Sequence, residues 1–481
     1  MRILEPPQTA PIPERAPDNA SGDIEQPLLP QTIRDFSSSD SDASKNTPTW
    51  LEYRFTTRGK YIGVWKSIKA IIFSSWLNVL VVFIPLSWVA HFLNHENAEH
   101  PKHFYPFSVT FSLSLLALIP LEGLIEYGGE QMSLYCGKDL GDLIVVTLSN
   151  AVEAVLAIVL FTKCELRLLQ STLVGVTLLH LLFVPGITFI VGGAKLVYQE
   201  LNPHIAQLNH TLLITGVLAM VLPFALYTTL QEEVTSSSDV NLLQGKVLMI
   251  SRGLAVILHY LYILSRIFLH NPPGDNNSFR ALPDAPAAIV EHEQDLLKRE
   301  PELNPWVCIV LLVVIIGFIA PTTQFLADSV DIVRAEGRIP EEWFGLVLLP
   351  LATYSADGLL AMGHFLRSIV RHFRGQKIQP LILAKARSID MAIQFNLFWV
   401  PSLVVTGWCN SKPMSLLFDR FEVIVLVGAC FLVNYVTADA KTNWAEGATM
   451  VAFYIMIALT AWFYASDPEI SQLLVGGSCQ V

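Results

Sequence analysis

Two short stretches place oxygen ligands where lipid-facing side chains would be expected. "LSNAVEAVLA", residues 148–157, carries Ser149, Asn150 and Glu153 inside an otherwise apolar run. "LATYSADGLL", residues 351–360, carries Thr353, Tyr354, Ser355 and Asp357 in a similar setting. Asn150 and Glu153 are three apart, so they share one face of a helix. An ionised side chain at a bilayer centre costs about 2.5–3.5 kcal/mol on insertion scales, so such groups face a bundle interior or an aqueous path. Carboxylate, amide and hydroxyl oxygens are the hard donors that Ca²⁺ or an alkali cation prefers. Burial disfavours a bare carboxylate, so such a group takes up either a proton or a metal ion. Glu153 and Asp357 are therefore the expected metal ligands, and competition between cation and proton is the expected chemistry.

The elements that must position these groups are membrane helices. Of 481 residues, 52% are hydrophobic and 15% charged, and the mean hydropathy is +0.47. Apolar runs of about 20 residues recur, each long enough to cross roughly 30 Å of hydrocarbon as a helix. The expected spans are 74–94, 106–126, 141–161, 168–192, 211–230 and 246–268, then 306–326, 343–366, 382–408, 421–437 and 446–464. The fold class is an all-α polytopic membrane protein with about eleven transmembrane helices. The formal net charge of −11 disfavours nucleic acid. Six scattered cysteines indicate neither a zinc site nor a disulfide framework.

The expected domains follow from composition. Residues 1–70 are rich in Pro, Ser and Asp and read as a disordered tail. Residues 71–268 form a first membrane half and 306–465 a second. Residues 269–305 are a polar linker whose "AAIVEHEQDLLKRE" suits an amphipathic surface helix, and 466–481 are a short tail. The basic flank with Arg54, Arg58, Lys60, Lys66 and Lys69 should face the cytosol. So should the segment with Arg367, Arg371, Arg374 and Lys377. Eight expected spans separate them, an even number, as this requires. The tail and linker are then cytosolic, and the two polar helices run in opposite senses.

Each polar helix is followed by another with a shared pattern. "HLLFVPG" from His180 matches "NLFWVPS" from Asn396, pairing Pro185 with Pro401, which should kink or break their helices. A duplicated, antiparallel helix pair with interrupted polar segments is the architecture of secondary transporters. Two inverted five-helix repeats plus one extra N-terminal helix are expected.

The same residues resemble a known family, the CAX-type cation/proton exchangers of the Ca²⁺/cation antiporter superfamily. The resemblance spans roughly residues 60–465. Ser149-Asn150-Ala151-Val152-Glu153 resembles the family's GNAVE, and "LRLLQSTLVG" its IRVVQASLLG. "PLEGLIEYGGEQMSLYCG" resembles PLAxLLGFATEELAxRLG and sets Glu130 on an acidic family position. "WFGLVLLP" resembles FVGLILLP, and "TADAKTNWAEG" the opening of the last span. The second repeat departs: the family's GNAAEH becomes Thr353, Tyr354, Ser355, Ala356, Asp357 and Gly358. "DMAIQ" keeps Gln394 of the family's GSSIQ but replaces its glycine with Asp390. His180 stands where the family has an asparagine, and Asp142 where it has glycine.

The resemblance implies a cation/proton antiporter, not an enzyme, that moves a cation, Ca²⁺ foremost, from the cytosol into an acidic compartment such as the vacuole. The partners are inorganic cations, protons and the bilayer; no cofactor is implied. Glu153, Asp357, Asn150, Ser149, Ser355, Gln394 and His180 would line the site. Asp390 would join them or pair with Arg387. Glu130, Asp142 and Glu122 suit a vestibule or proton path. Two alternatives stay open: a Na⁺/H⁺ or K⁺/H⁺ exchanger, and a non-transporting sensor or scaffold that keeps the fold.

Overall fold

The computed structural model describes residues 62–94, 106–136, 138–193, 198–201, 203–231, 237–270, 300–354 and 387–464. These belong to one unit, Trp50–Val481. Ser355, Asp357, the linker helix and the arginine run 367–377 lie outside the described residues.

The chain opens with α1 (Val64–Phe73) and α2 (Trp76–Asn94), then α3 (Phe107–Cys136). A broken pair follows, α4 (Lys138–Ser149) and α5 (Ala151–Thr162). Next come α6 (Leu166–Gly193), α7 (Pro203–Gln231), α8 (Ser237–His270) and α9 (Pro305–Gly337). α10 covers 341–353, α11 is Arg387–Cys409, α12 Arg420–Val436 and α13 Trp444–Phe463. A two-stranded antiparallel ladder joins Gln199 to Thr442 and Glu200 to Lys441, tying the end of α6 to the start of α13.

Among the described residues eight helices are long and apolar enough to cross a membrane, and the α4–α5 pair makes nine. The expected span at 421–437 is the 17-residue α12. The expected span at 343–366 is described only to Tyr354. The tail expected to run to residue 70 gives way earlier: Val64–Phe73 is helical, with Ser67 buried. The Asn304 amide donates to Ser67 Oγ at 2.9 Å, and Asn304 Nδ2 donates to the Ile62 carbonyl at 3.1 Å. That docking supplies what a polar tail lacks. Cys164 is disulfide-bonded, which the scattered cysteine pattern did not suggest.

Side-chain contacts sort the helix ends into two layers. At one, Tyr127 bonds Glu302 at 3.0 Å, Tyr135 bonds the Leu303 carbonyl at 2.5 Å, and Arg387 meets Glu126 at 3.1 Å. At the other, Lys163 pairs with Asp328, Arg167 with Glu342, and Lys412 Nζ bonds the Phe161 carbonyl at 2.9 Å. α1 and Arg387 therefore share an end.

Prolines shape the central helices without breaking them. Leu179–Phe183, Phe344–Leu348 and Phe395–Trp399 are wide π turns. Each ends two residues before a proline: Pro185, Pro350 or Pro401. A proline removes one donor and crowds the carbonyl four residues back; a widened turn relieves that crowding. The break or kink expected at Pro185 and Pro401 is thus a π turn within one continuous span. Small residues let these helices meet backbone to backbone. A methyl at Gly175 of α6 would stand 2.4 Å from the Leu346 carbonyl oxygen of α10.

Candidate functional site

The main-chain break falls at Asn150, where φ is −93°, ψ is 9° and the flanking helices bend by 51°. Asn150 caps nothing with its side chain. Instead Nδ2 reaches α11, donating to Gln394 Oε1 at 2.9 Å and to the Met391 carbonyl at 3.3 Å. Gln394 Nε2 in turn donates to Thr147 Oγ1 and to the Tyr262 hydroxyl, both at 2.8 Å. The Asn150 side-chain oxygen is buried and has no donor among the described residues. Glu153 is 2% exposed and lies in the first turn of α5. The positive end of that half-helix favours a carboxylate there. The sequence-expected Asn150 and Gln394 are thus brought together at the broken helix, and Glu153 lies one turn further along α5.

One helix end shares the backbone of this break. α10 ends at Tyr354, with φ −100° and ψ 16°. The Tyr354 ring packs edge-on against the fully buried His180 ring at 5.2 Å. So the α4–α5 break contacts α11, and the end of α10 contacts α6. Thr177 Oγ1 of α6 also donates to Asn396 Oδ1 of α11 at 2.8 Å. The two π turns that hold His180 and Asn396 stand at matching places in the two helices.

Ser149, Asp390, Asp142 and Glu130 are less deeply buried. The Arg387 guanidinium donates to Ser149 Oγ and to the Val145 carbonyl at 3.4 Å, and lies 3.1 Å from Glu126 and 3.9 Å from Glu130. Ser149 therefore serves Arg387 and sits apart from the Asn150–Gln394 bonds. Asp390 accepts from Asn209 Nδ2 at 2.6 Å; Arg387 turns to Glu126 and Glu130 instead of pairing with it. Asp142 lies 3.7 Å from Arg266, whose guanidinium stacks 4.9 Å from the Tyr262 ring centroid. Glu122 is buried in α3.

Sequence reasoning did not single out Thr147, Tyr262, Asn209 or Thr177. Their signal was weak: hydroxyls and amides are tolerated in spans, and only the cross-helix partner marks them. Among the described residues no three His, Cys, Asp or Glu side chains converge on one point.

The family described as sodium/calcium exchanger protein matches residues 307–463. A vacuolar calcium ion transporter of Cryptococcus neoformans is 29% identical over 477 residues, covering 84% of this chain and 76% of that protein. A Ca²⁺/H⁺ antiporter of Synechocystis is 28% identical, covering 80% and 96%. The solved Ca²⁺/H⁺ antiporter protein YfkE superposes with a TM-score of 0.57 at 21% identity, over 81% of this chain and all of that one, and so shares the fold. The resemblance of the motifs, the match of the second half to the sodium/calcium exchanger model and the shared fold agree: the chain is similar to the CAX-type exchangers.

Proposed function

We propose that the protein is a secondary-active antiporter that exchanges a cation, Ca²⁺ foremost, for protons. Glu153 is the group that binds them in turn, and Asp357 is its counterpart in the second half. The observation that carries this reading is the broken helix. At Asn150 both amide hydrogens are committed to α11, which leaves a buried carbonyl oxygen one helical turn before the buried Glu153. A hard amide oxygen without a bound donor suits a desolvated cation, and a carboxylate one turn away can discharge it by taking up a proton. The names carried by the fungal and cyanobacterial relatives support Ca²⁺ and H⁺ as the exchanged pair.

An inverted repeat underlies the site in this reading. The near-equal dihedrals at Asn150 and Tyr354, and the paired π turns before Pro185 and Pro401, support it. With α1 and Arg387 at the cytosolic end, the cation moves out of the cytosol into an acidic compartment. The vacuolar relative favours that membrane. The disulfide at Cys164, on the opposite end, suits a non-cytosolic compartment.

One observation favours a monovalent cation instead. At the end of α10 a tyrosine ring replaces the amide, packing on His180 where an oxygen donor would otherwise stand. A site with weaker oxygen donors favours Ca²⁺ less strongly over Na⁺ or K⁺. Purified protein in vesicles with an imposed pH gradient decides between these. Ca²⁺-dependent proton release is expected, with weaker responses to Na⁺ and K⁺. If none of the three ions collapses the gradient, exchange is excluded and a non-transporting role remains.

A further inference from the structure

Arg387 is the first residue of α11, one turn before Met391 and two before Gln394, the residues that hold Asn150. Its guanidinium is surrounded by oxygens: Glu126 Oε1, Glu130 Oε1, Ser149 Oγ and the Val145 carbonyl. Two of these belong to the last turns of α4, whose carbonyl end carries partial negative charge. Exposure falls along this line, from 40% at Glu130 through 31% at Arg387 and 21% at Glu126 to 0% at Asn150 and 2% at Glu153. The carboxylate, hydroxyl and carbonyl oxygens on α3 and on the last turns of α4, which end at Asn150, are thus held by a cation that the chain supplies itself.

We propose that Arg387 is a specificity-determining residue: a tethered guanidinium that occupies the oxygen-lined approach to Asn150 and that an incoming cation must displace. The proposal rests on Glu153 being the exchange site. Acting through Glu126, Glu130 and Ser149, Arg387 sets the cation concentration at which the site fills, not the rate at which it turns over. The guanidinium fork suits the task, because its planar donors reach the carbonyl, the hydroxyl and the carboxylates at once; an ammonium cannot. Being delocalised and always charged, it also keeps its hold whatever the local pH.

The test is equilibrium Ca²⁺ binding to purified full-length protein, paired with proton-driven Ca²⁺ uptake in vesicles. Arg387→Gln should bind Ca²⁺ about tenfold more tightly and half-saturate uptake at a correspondingly lower concentration. The maximal rate should stay within about threefold, since the displaced group takes no part in the proton step. Arg387→Lys, which keeps the charge but loses the fork, should lie between Gln and wild type; it decides the matter if the Gln variant does not fold. Unchanged or weaker Ca²⁺ binding in whichever variant folds overturns the proposal, and so does a fall in maximal rate with unchanged half-saturation. Binding is read without exchange. Tighter binding in a protein that exchanges nothing therefore upholds Arg387 and fails only the transport reading.

Discussion

The helix break at Asn150 and the helix end at Tyr354 share a backbone and differ in their chemistry. Asn150 and Tyr354 have nearly the same dihedrals and follow the same kind of apolar helix. Each contacts the partner helix of the other half. At the break the contact is an amide ladder through Gln394 to Thr147 and Tyr262. At the helix end it is two rings, Tyr354 on His180. The turn is therefore held by the surrounding helices and not by the side chain at its apex. The same backbone can thus end a helix with either an amide or an aromatic ring at its apex.

Exchanging the apex residues tests this most strongly. Asn150→Tyr should reduce exchange about a hundredfold. It crowds a fully buried position and strands Gln394, a loss of about 1–3 kcal/mol for the unpaired amide before any clash is counted. The reciprocal Tyr354→Asn should leave the fold intact and raise the preference for Ca²⁺ over K⁺ by about tenfold, read from competitive uptake. An unchanged preference would mean that the end of α10 does not select the ion.

The support beneath each apex should respond less. Gly175→Ala pushes a methyl into the Leu346 carbonyl, so thermal unfolding in detergent should show a loss of about 1–3 kcal/mol. Gln394→Ala removes bonds to Asn150, Thr147 and Tyr262 and should weaken cation binding about tenfold with a smaller change in stability. Pro401→Ala should have the smallest effect, about 1 kcal/mol or less, because the π turn already relieves the proline's crowding.

Much of this was legible in the sequence for a plain physical reason. Apolar runs interrupted by Asn150 and Glu153 announce both a span and a cost, and the cost points to function. The prolines were legible as positions but not as outcomes. Whether Pro185 breaks its helix depends on neighbours that let the backbone widen, and α10 and α13 supply them across the glycine contacts at Gly175 and Gly186. Thr147 and Tyr262 lie far from Gln394 in the chain, and no spacing rule connects them. Residues 64–70 carry no such signal, because the anchor of their helix, Asn304, lies beyond the linker.

The central claim is that one carboxylate in α5 binds cation and proton by turns. Glu153→Gln keeps the size and the side-chain carbonyl but can neither carry the charge nor release the proton. Proton-driven Ca²⁺ uptake should be measured in vesicles that hold equal amounts of folded wild-type and Glu153→Gln protein. The account predicts that the variant loses uptake by at least about a hundredfold. Uptake at the wild-type rate would contradict it.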